Sequence, residues 1–433
     1  MQLTRFSLGL GDRFGWEGGA QVRAVQLALE KGVTITPVWN KSNREHLLIG
    51  TRPEDTRQAA DAAVGASGWT GPYLVDADHI TSETVGPFIG SSDYFTIDLA
   101  ESLGRSPDRA RAEAFLKEMA PFRGDLDIEG ALEPVHVTEG LLRAVAARYL
   151  SAVEEAGRVY RHIESVKGRG NFVTEVSLDE VADPQTAAEL FLVLGALARE
   201  GVPVQTIAPK FRGEFLKGIE YVGDPRGFAQ DFASDIGVID YARRAFGLPQ
   251  DLKLSIHSGS DKFSLYPFIR TAINATGAGF HLKTAGTTWL EEVIGIATAG
   301  GSGLRTAKEI YADAYGRFDE LTAPYRTVVA IDRSRLPHPH DVESWDSRTF
   351  ARTLEHESSR DEFNPHFRQL VHVAFKIAAE MGPRFTSLLR EHRVVIEQHV
   401  TENIFRRHVT PLFLGEAARP QSQATTARTD HGS

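Results

Sequence analysis

The chain has 433 residues, 42% hydrophobic and 24% charged, with a formal net charge of −10 and no cysteine. This is an ordinary globular composition, and its negative balance argues against nucleic acid or an anionic membrane as partner; an anionic ligand would need a local cluster of Lys and Arg. The missing cysteines exclude disulfides, thiolate nucleophiles and iron–sulfur clusters, and leave His, Asp, Glu and carbonyl oxygens to hold a metal.

The first stretch, Phe6 to Gly11, reads as a strand, and its exit through Asp12, Arg13 and Gly15 is glycine-rich. A tight turn is the first reading of that exit, with an anion cradle as the alternative. Arg5, Asp12 and Arg13 interrupt any signal-peptide core, and no apolar run is long enough to span a membrane, so a cytoplasmic location is expected. Helical spacing follows over 20–31, a strand over 33–39 and a helix over 53–65. Gly71 to Ile80, GPYLVDADHI, is a short strand whose polar exit sets Asp78 beside His79. A strand over 93–100 precedes a mainly helical, polar insertion at about 105–165. Beyond it, strands over 171–176, 202–210, 253–257 and 279–283 alternate with helices over 184–200, 227–246, 266–276 and 289–299.

Such alternation implies βαβ units and a parallel sheet. About eight strands before residue 300 favour a (β/α)8 TIM-like barrel occupying 1–335. Thr327 to Asp332 is a further strand candidate. A helical extension is expected over 336–415, packed on the barrel and able to lid the site through Glu391 to Arg407, and a disordered tail over 416–433.

In such a barrel the active site lies at the carboxyl ends of the strands. His79, His257 and His281 sit at three of these ends, enough to hold one catalytic metal with an open position. A divalent cation is expected, zinc first among Zn²⁺, Mn²⁺, Fe²⁺ and Co²⁺. Neighbours on a regular strand alternate faces, so Asp78 and His79 cannot both point inward unless one lies past the strand. That arrangement suits a catalytic acid beside a ligand. Glu175, a carboxylate inside an apolar strand, is costly unless paired or used, and a proton-transfer role is expected for it. Lys210, Arg212, Asp261, Lys262 and Lys283 are the candidates for substrate binding; Lys283 shares a strand face with His281, and Lys210 could alternatively form a Schiff base.

The Asp78-His79 pair, Glu175 and the turn His257-Ser-Gly-Ser are locally similar to the class II metal-dependent aldolases, barrels with three histidine ligands and an aspartate before the first. Over about 5–410 the chain resembles the tagaturonate epimerase family, through LGLGDRFG, VDADHI, FVTEVSLDE, IAPKFRGEFLKGIEY, KLSIHSGSDKFSLYP and FHLKTAGTTWLEE. The resemblance implies metal-dependent interconversion of D-tagaturonate and D-fructuronate in hexuronate catabolism, with a small sugar acid as the binding partner; the sequence leaves a homo-oligomer open. The carbon inverted in that reaction is β to the ketone, so enolisation alone does not reach it. Retro-aldol cleavage, rotation of the aldehyde and re-addition do. A metal-dependent aldolase that releases the fragments is the alternative reading.

Overall fold

The computed structural model describes residues 1–415 apart from Gln2, Leu132, Glu133 and Ala285. The expected disordered tail lies outside the described residues. Among the described residues ten strands occur in chain order: β1 (Phe6–Gly11), β2 (Ile35–Ser42), β3 (Leu74–Ile80), β4 (Tyr94–Asp98), β5 (Gly124–Leu126), β6 (Val135–Val137), β7 (Val173–Ser177), β8 (Thr206–Ala208), β9 (Lys253–Ile256) and β10 (Phe280–Thr284). Eight close into a barrel in the order β1-β10-β9-β8-β7-β4-β3-β2, every pair parallel, while β5 and β6 form a separate antiparallel pair. Helices connect successive barrel strands, shortened to one 3-10 turn (Gly86–Phe88) between β3 and β4, and the fold is a (β/α)8 barrel of the TIM type.

Period-two alternation makes the two faces of each strand chemically different. On β10, Phe280 and Leu282 join the large apolar core, while His281 and Lys283 point into the barrel. On β4, Phe95 and Ile97 face the helices; Tyr94 and Thr96 face inward. The main core therefore lies between sheet and helices. Inside the barrel a small apolar plug of Leu3, Val38, Leu74, Tyr94 and Val173 stands apart from it, and the rest of the lumen is lined by charged and polar groups.

The β4–β7 connection holds helices Arg109–Met119 and Glu139–Lys167 around the β5–β6 pair. After β10 the described elements are all helices, joined by loops, as far as residue 414. The segment Thr327 to Asp332 is not a strand, contrary to its β-branched sequence. Pairing of β1 with β10 has already closed the sheet and left no edge to extend. Val328, Val329 and Ile331 pack instead as partly buried cover on the core. Among the described residues no helix is long and apolar enough to cross a membrane.

Arg368, fully buried in the helical extension, ties that extension to the barrel. It donates to Asp261 at 2.9 Å, to the Gly218 carbonyl at 2.6 Å and to the Leu354 carbonyl at 2.7 Å. Removing one partner of a buried pair strands the other charge, at a cost of about 3–5 kcal/mol. Arg368→Met should lose stability on that scale in denaturant unfolding, and an unchanged midpoint would show that the clamp contributes little.

Candidate active site

The carboxyl ends of β3, β7, β9 and β10 bring together His79, Asp78, Asp76, Glu175, Asp179, His257 and Lys283. On β3 the pairing with β4 shifts register between Ala77 and Ile80, and His79 adopts a left-handed φ of 52°. This bulge resolves the alternation conflict: Asp78 and His79, although adjacent, both face the same cavity. Ser258, after β9, also has a left-handed φ of 51°. Strained residues of this kind cluster at functional sites.

Three side chains converge. His79 Nε2 lies 3.2 Å from Asp179 Oδ1, and His257 Nδ1 lies 3.3 Å from Asp179 Oδ2. Ligand atoms of all three residues fall within 4.8 Å of one another. Metal bonds of about 2.0–2.1 Å in a tetrahedron separate neighbouring ligands by about 3.3 Å, so the spacing fits. His257 Nδ1 is buried with Asp179 as its neighbour but in poor hydrogen-bond geometry, and the carboxylates outweigh burial and raise the pKa of this imidazole; a cation between the two would replace that proton. The far nitrogen of each imidazole is held by a carboxylate: His79 Nδ1 by Asp78 at 2.9 Å, His257 Nε2 by Glu175 at 2.7 Å. Carboxylates commonly orient ligating histidines in this way. Two imidazoles and a carboxylate with an open side suit Zn²⁺, Fe²⁺, Mn²⁺ or Co²⁺.

Beneath this triangle Lys283 Nζ contacts Asp76 and Asp78 at 2.8 Å, Glu175 at 3.0 Å and Thr96 Oγ1 at 2.7 Å. Burial works against charge on Lys283, but the three carboxylates outweigh it and raise its pKa well above the usual value. The carboxylates diverge. Burial pushes Asp76 up to about 6 despite Lys283, whereas Lys283 and the imidazoles overcome burial to hold Asp78 and Glu175 below the ordinary range. Gly9 makes room for this cation, because a Cβ there would lie 3.0 Å from Lys283 Cγ.

Glu175 is fully buried and does not face the cavity; Tyr94 (2.7 Å), Thr96 (3.1 Å), His257 and Lys283 take its oxygens. The structure does not bring His281 to the other two histidines. It shares a face with Lys283 but sits one layer deeper, opposite Ser7 and Ser255, with Nδ1 bonded to Ser7 at 2.8 Å. Burial lowers its pKa to about 3, leaving it neutral. Asp179, two residues past the end of β7, stands where a third histidine was expected. Its place in Val176-Ser-Leu-Asp-Glu180, a polar run at a strand exit, was the available signal.

The other substrate-binding candidates lie apart. Asp261 turns away with a φ of 64° to meet Arg368 and His356. Lys262 is spent on the carbonyls of Leu216, Ile219 and Ser260. Arg212 pairs with Asp231 at the surface. Lys210 lines an adjoining cavity of about 660 Å³ that shares Asp179 and His257 with the site. The glycine-rich exit of β1 is a turn, with Asp12 accepting from the backbone of Gly15 and Glu17. Glu391 to Arg407 do not cover the site cavity, which is bounded by Tyr325 and Val328. That cavity holds about 280 Å³ and is walled by Asp78, His79, Asp179, His257 and Lys283, together with Arg13, Arg44 and Lys217.

A (β/α)8 barrel with acids, imidazoles and a buried lysine gathered at its carboxyl end defines an enzyme of small polar molecules. The chain belongs to the tagaturonate epimerase family, whose model matches residues 1–412, and is therefore an isomerase. It is 29% identical over 419 residues to a tagaturonate/fructuronate epimerase from Thermotoga maritima, covering 94% of this chain and 80% of that one. The glycerol-complexed crystal structure of a fructuronate-tagaturonate epimerase from Cohnella laeviribosi superposes with a TM-score of 0.78 at 25% identity, over 95% of this chain and 82% of that chain. The native form of the same enzyme gives 0.76 at 26% identity, with the same coverage of both chains.

Lys283→Met would leave Asp76, Asp78 and Glu175 without their cation. Their folded pKa values would rise, so the folded state would favour protonated carboxyls; stability would be kept at low pH and lost as pH rises through those values. The variant's deficit relative to the parent should therefore be larger at pH 8 than at pH 5, reaching about 3–5 kcal/mol. Denaturant midpoints at the two pH values measure it, and a deficit independent of pH would contradict the electrostatic account.

Proposed function

We propose that the protein interconverts D-tagaturonate and D-fructuronate through a divalent metal held by His79, Asp179 and His257, by retro-aldol cleavage and re-addition. The observation that carries the reading is the triangle itself, with a carboxylate on the far nitrogen of each imidazole. The bound ion would act as a Lewis acid toward the ketone and the negative charge that develops beside it.

The chain's own groups divide the remaining work. Asp78 lines the cavity and is kept ionised by Lys283, so it is available to take the proton of the hydroxyl on the inverted carbon. Loss of that proton forms the aldehyde as the adjacent carbon–carbon bond breaks. The electron pair passes toward the ketone oxygen. Rotation of the aldehyde, bond re-formation and return of the proton give the epimer with no net oxidation. Lys283, a fixed ammonium, supplies positive charge against the carboxylates during the transfer. Glu175 acts through His257 and Lys283 as a positioning residue, since its oxygens face them and not the cavity.

Chelation should abolish turnover, with restoration by Zn²⁺, Mn²⁺ or a similar ion. Asp179→Ala and His257→Ala should lose bound metal, because two remaining ligands make a poor site. His281→Asn should keep it. Metal content of purified variants decides this: full occupancy in Asp179→Ala, or an empty site in His281→Asn, would remove the proposed ligand set.

Asp78→Asn should still fill with metal, bound about 10–100-fold more weakly through the loss of His79 support. At saturating metal its turnover should fall by about 10²–10⁴-fold, the scale for a lost proton-transfer group. Near-normal turnover at full occupancy would assign the proton to another group. Product analysis completes the test, with a single hexuronate expected and two smaller fragments indicating an aldolase.

A further inference from the structure

A sugar acid brings a carboxylate into a cavity already lined by six acids, Asp78, Asp179, Glu45, Glu83, Asp98 and Glu180, so a cation must receive it. Most basic groups nearby are committed. Lys283 is enclosed by three carboxylates, Lys262 by three carbonyls, and Arg13 pairs with Glu45 at 3.1 Å. Two cavity-lining cations remain, and among the described residues neither forms an ion pair. Arg44 stands with Cζ 5.0 Å from the Tyr325 ring centroid, and Lys217 with Nζ 5.9 Å from the same centroid.

We propose that Arg44 and Lys217, flanking Tyr325, form the subsite that binds the substrate carboxylate and so select a hexuronate over the neutral ketohexose; this rests on the function proposed above. Arg44 enters from the helix Asn43–Ile49 after β2, and Lys217 from the loop after β8, its backbone N–H donating to Val328 at 2.8 Å. Both therefore sit on the wall bounded by Tyr325 and Val328. The ring gives the two cations an apolar, electron-rich surface to lie on. Burial lowers the pKa of Lys217, and Arg13 and Arg44 add to the effect while Glu45 and Glu180 oppose it; a carboxylate placed between Arg44 and Lys217 would reduce the repulsion between those two cations. An Arg can also meet a carboxylate with two parallel N–H donors.

The alternative cation is Lys210. It lies in the adjoining cavity, which shares Asp179 and His257 with the site but not Asp78 or Lys283. A substrate whose reacting hydroxyl meets Asp78 occupies the smaller cavity, and its carboxylate then lies within that cavity's walls.

The test uses the metal-loaded full chain and two ligands, tagaturonate as substrate and D-tagatose as competitor. Tagatose carries a hydroxymethyl group where tagaturonate carries its carboxylate. In Lys217→Met and in Arg44→Leu, KM for tagaturonate should rise about 10–100-fold, the effect of losing one hydrogen bond to a charged group. The inhibition constant of tagatose and the metal content should not change, which also reports intact folding. Equal weakening of both ligands, or of neither, would overturn the proposal. So would a selective loss of tagaturonate in Lys210→Met, which would place the carboxylate in the adjoining cavity. Failure of the parent reading is distinguishable, because the unsubstituted protein would then not turn over tagaturonate at all.

Discussion

The barrel interior is organised around one ammonium group among carboxylates. Asp76, Asp78 and Glu175 all reach Lys283 within 3.0 Å inside a lumen that solvent barely enters. A buried charge is tolerated only when paired and hydrogen-bonded, and a single lysine cannot balance three carboxylates plus the nearby Asp179. The remainder is met by protons or by a metal. Burial raises the pKa of Asp76 to about 6, the carboxylates outweigh burial and raise the pKa of His79 and His257, and a divalent cation at the His79–Asp179–His257 triangle would take the place of the imidazole protons. Stability of the lumen and occupancy of the site are thus parts of one charge balance.

The same balance dictates the backbone. Two adjacent residues, Asp78 and His79, face one cavity, the first orienting the second, and only a break in the pleat permits it. The bulge on β3 and the left-handed φ at His79 provide the break, and Ser258 after β9 is strained in the same way, at a cost on the order of 1–3 kcal/mol per strained residue. Packing elsewhere must hold them. The loop beyond Ser258 is fixed by Asp261, gripped by Arg368 and approached by His356, while its N–H meets His408. Asp261 and Lys262 were read from sequence as substrate ligands because charged residues beside a strand-end histidine resemble a site. Their partners show that they brace it.

Alternation made the barrel readable. All eight barrel strands fall where β-branched and aromatic runs suggested, and Tyr266–Thr276 is a helix at the expected bounds. Depth within the barrel was not readable. His281 and Lys283 share a face by period two, yet one layer separates them, and only strand register distinguishes the layer that lines the cavity from the one below. Asp179 was missed for the converse reason: it lies past its strand, where no periodicity applies. Thr327 to Asp332 has strand composition, but closure of the sheet is a property of the whole chain and no local window contains it. Arg44 and Lys217 are ordinary loop and helix cations in sequence, and Tyr325, far along the chain, brings them into one wall.

The clamp between Asp261 and Arg368 spans 107 residues of chain, and this separation has a consequence for synthesis. A nascent chain that has just released β10 from the ribosome possesses every proposed ligand and all eight barrel strands. The braces of the loop after His257 are still missing, since Arg368, His356 and His408 are yet to be made. The strained turn at Ser258 then has little to hold it, and non-local contacts of this kind form late. Chains terminated before the helical extension would leave the ribosome without the braces of that loop.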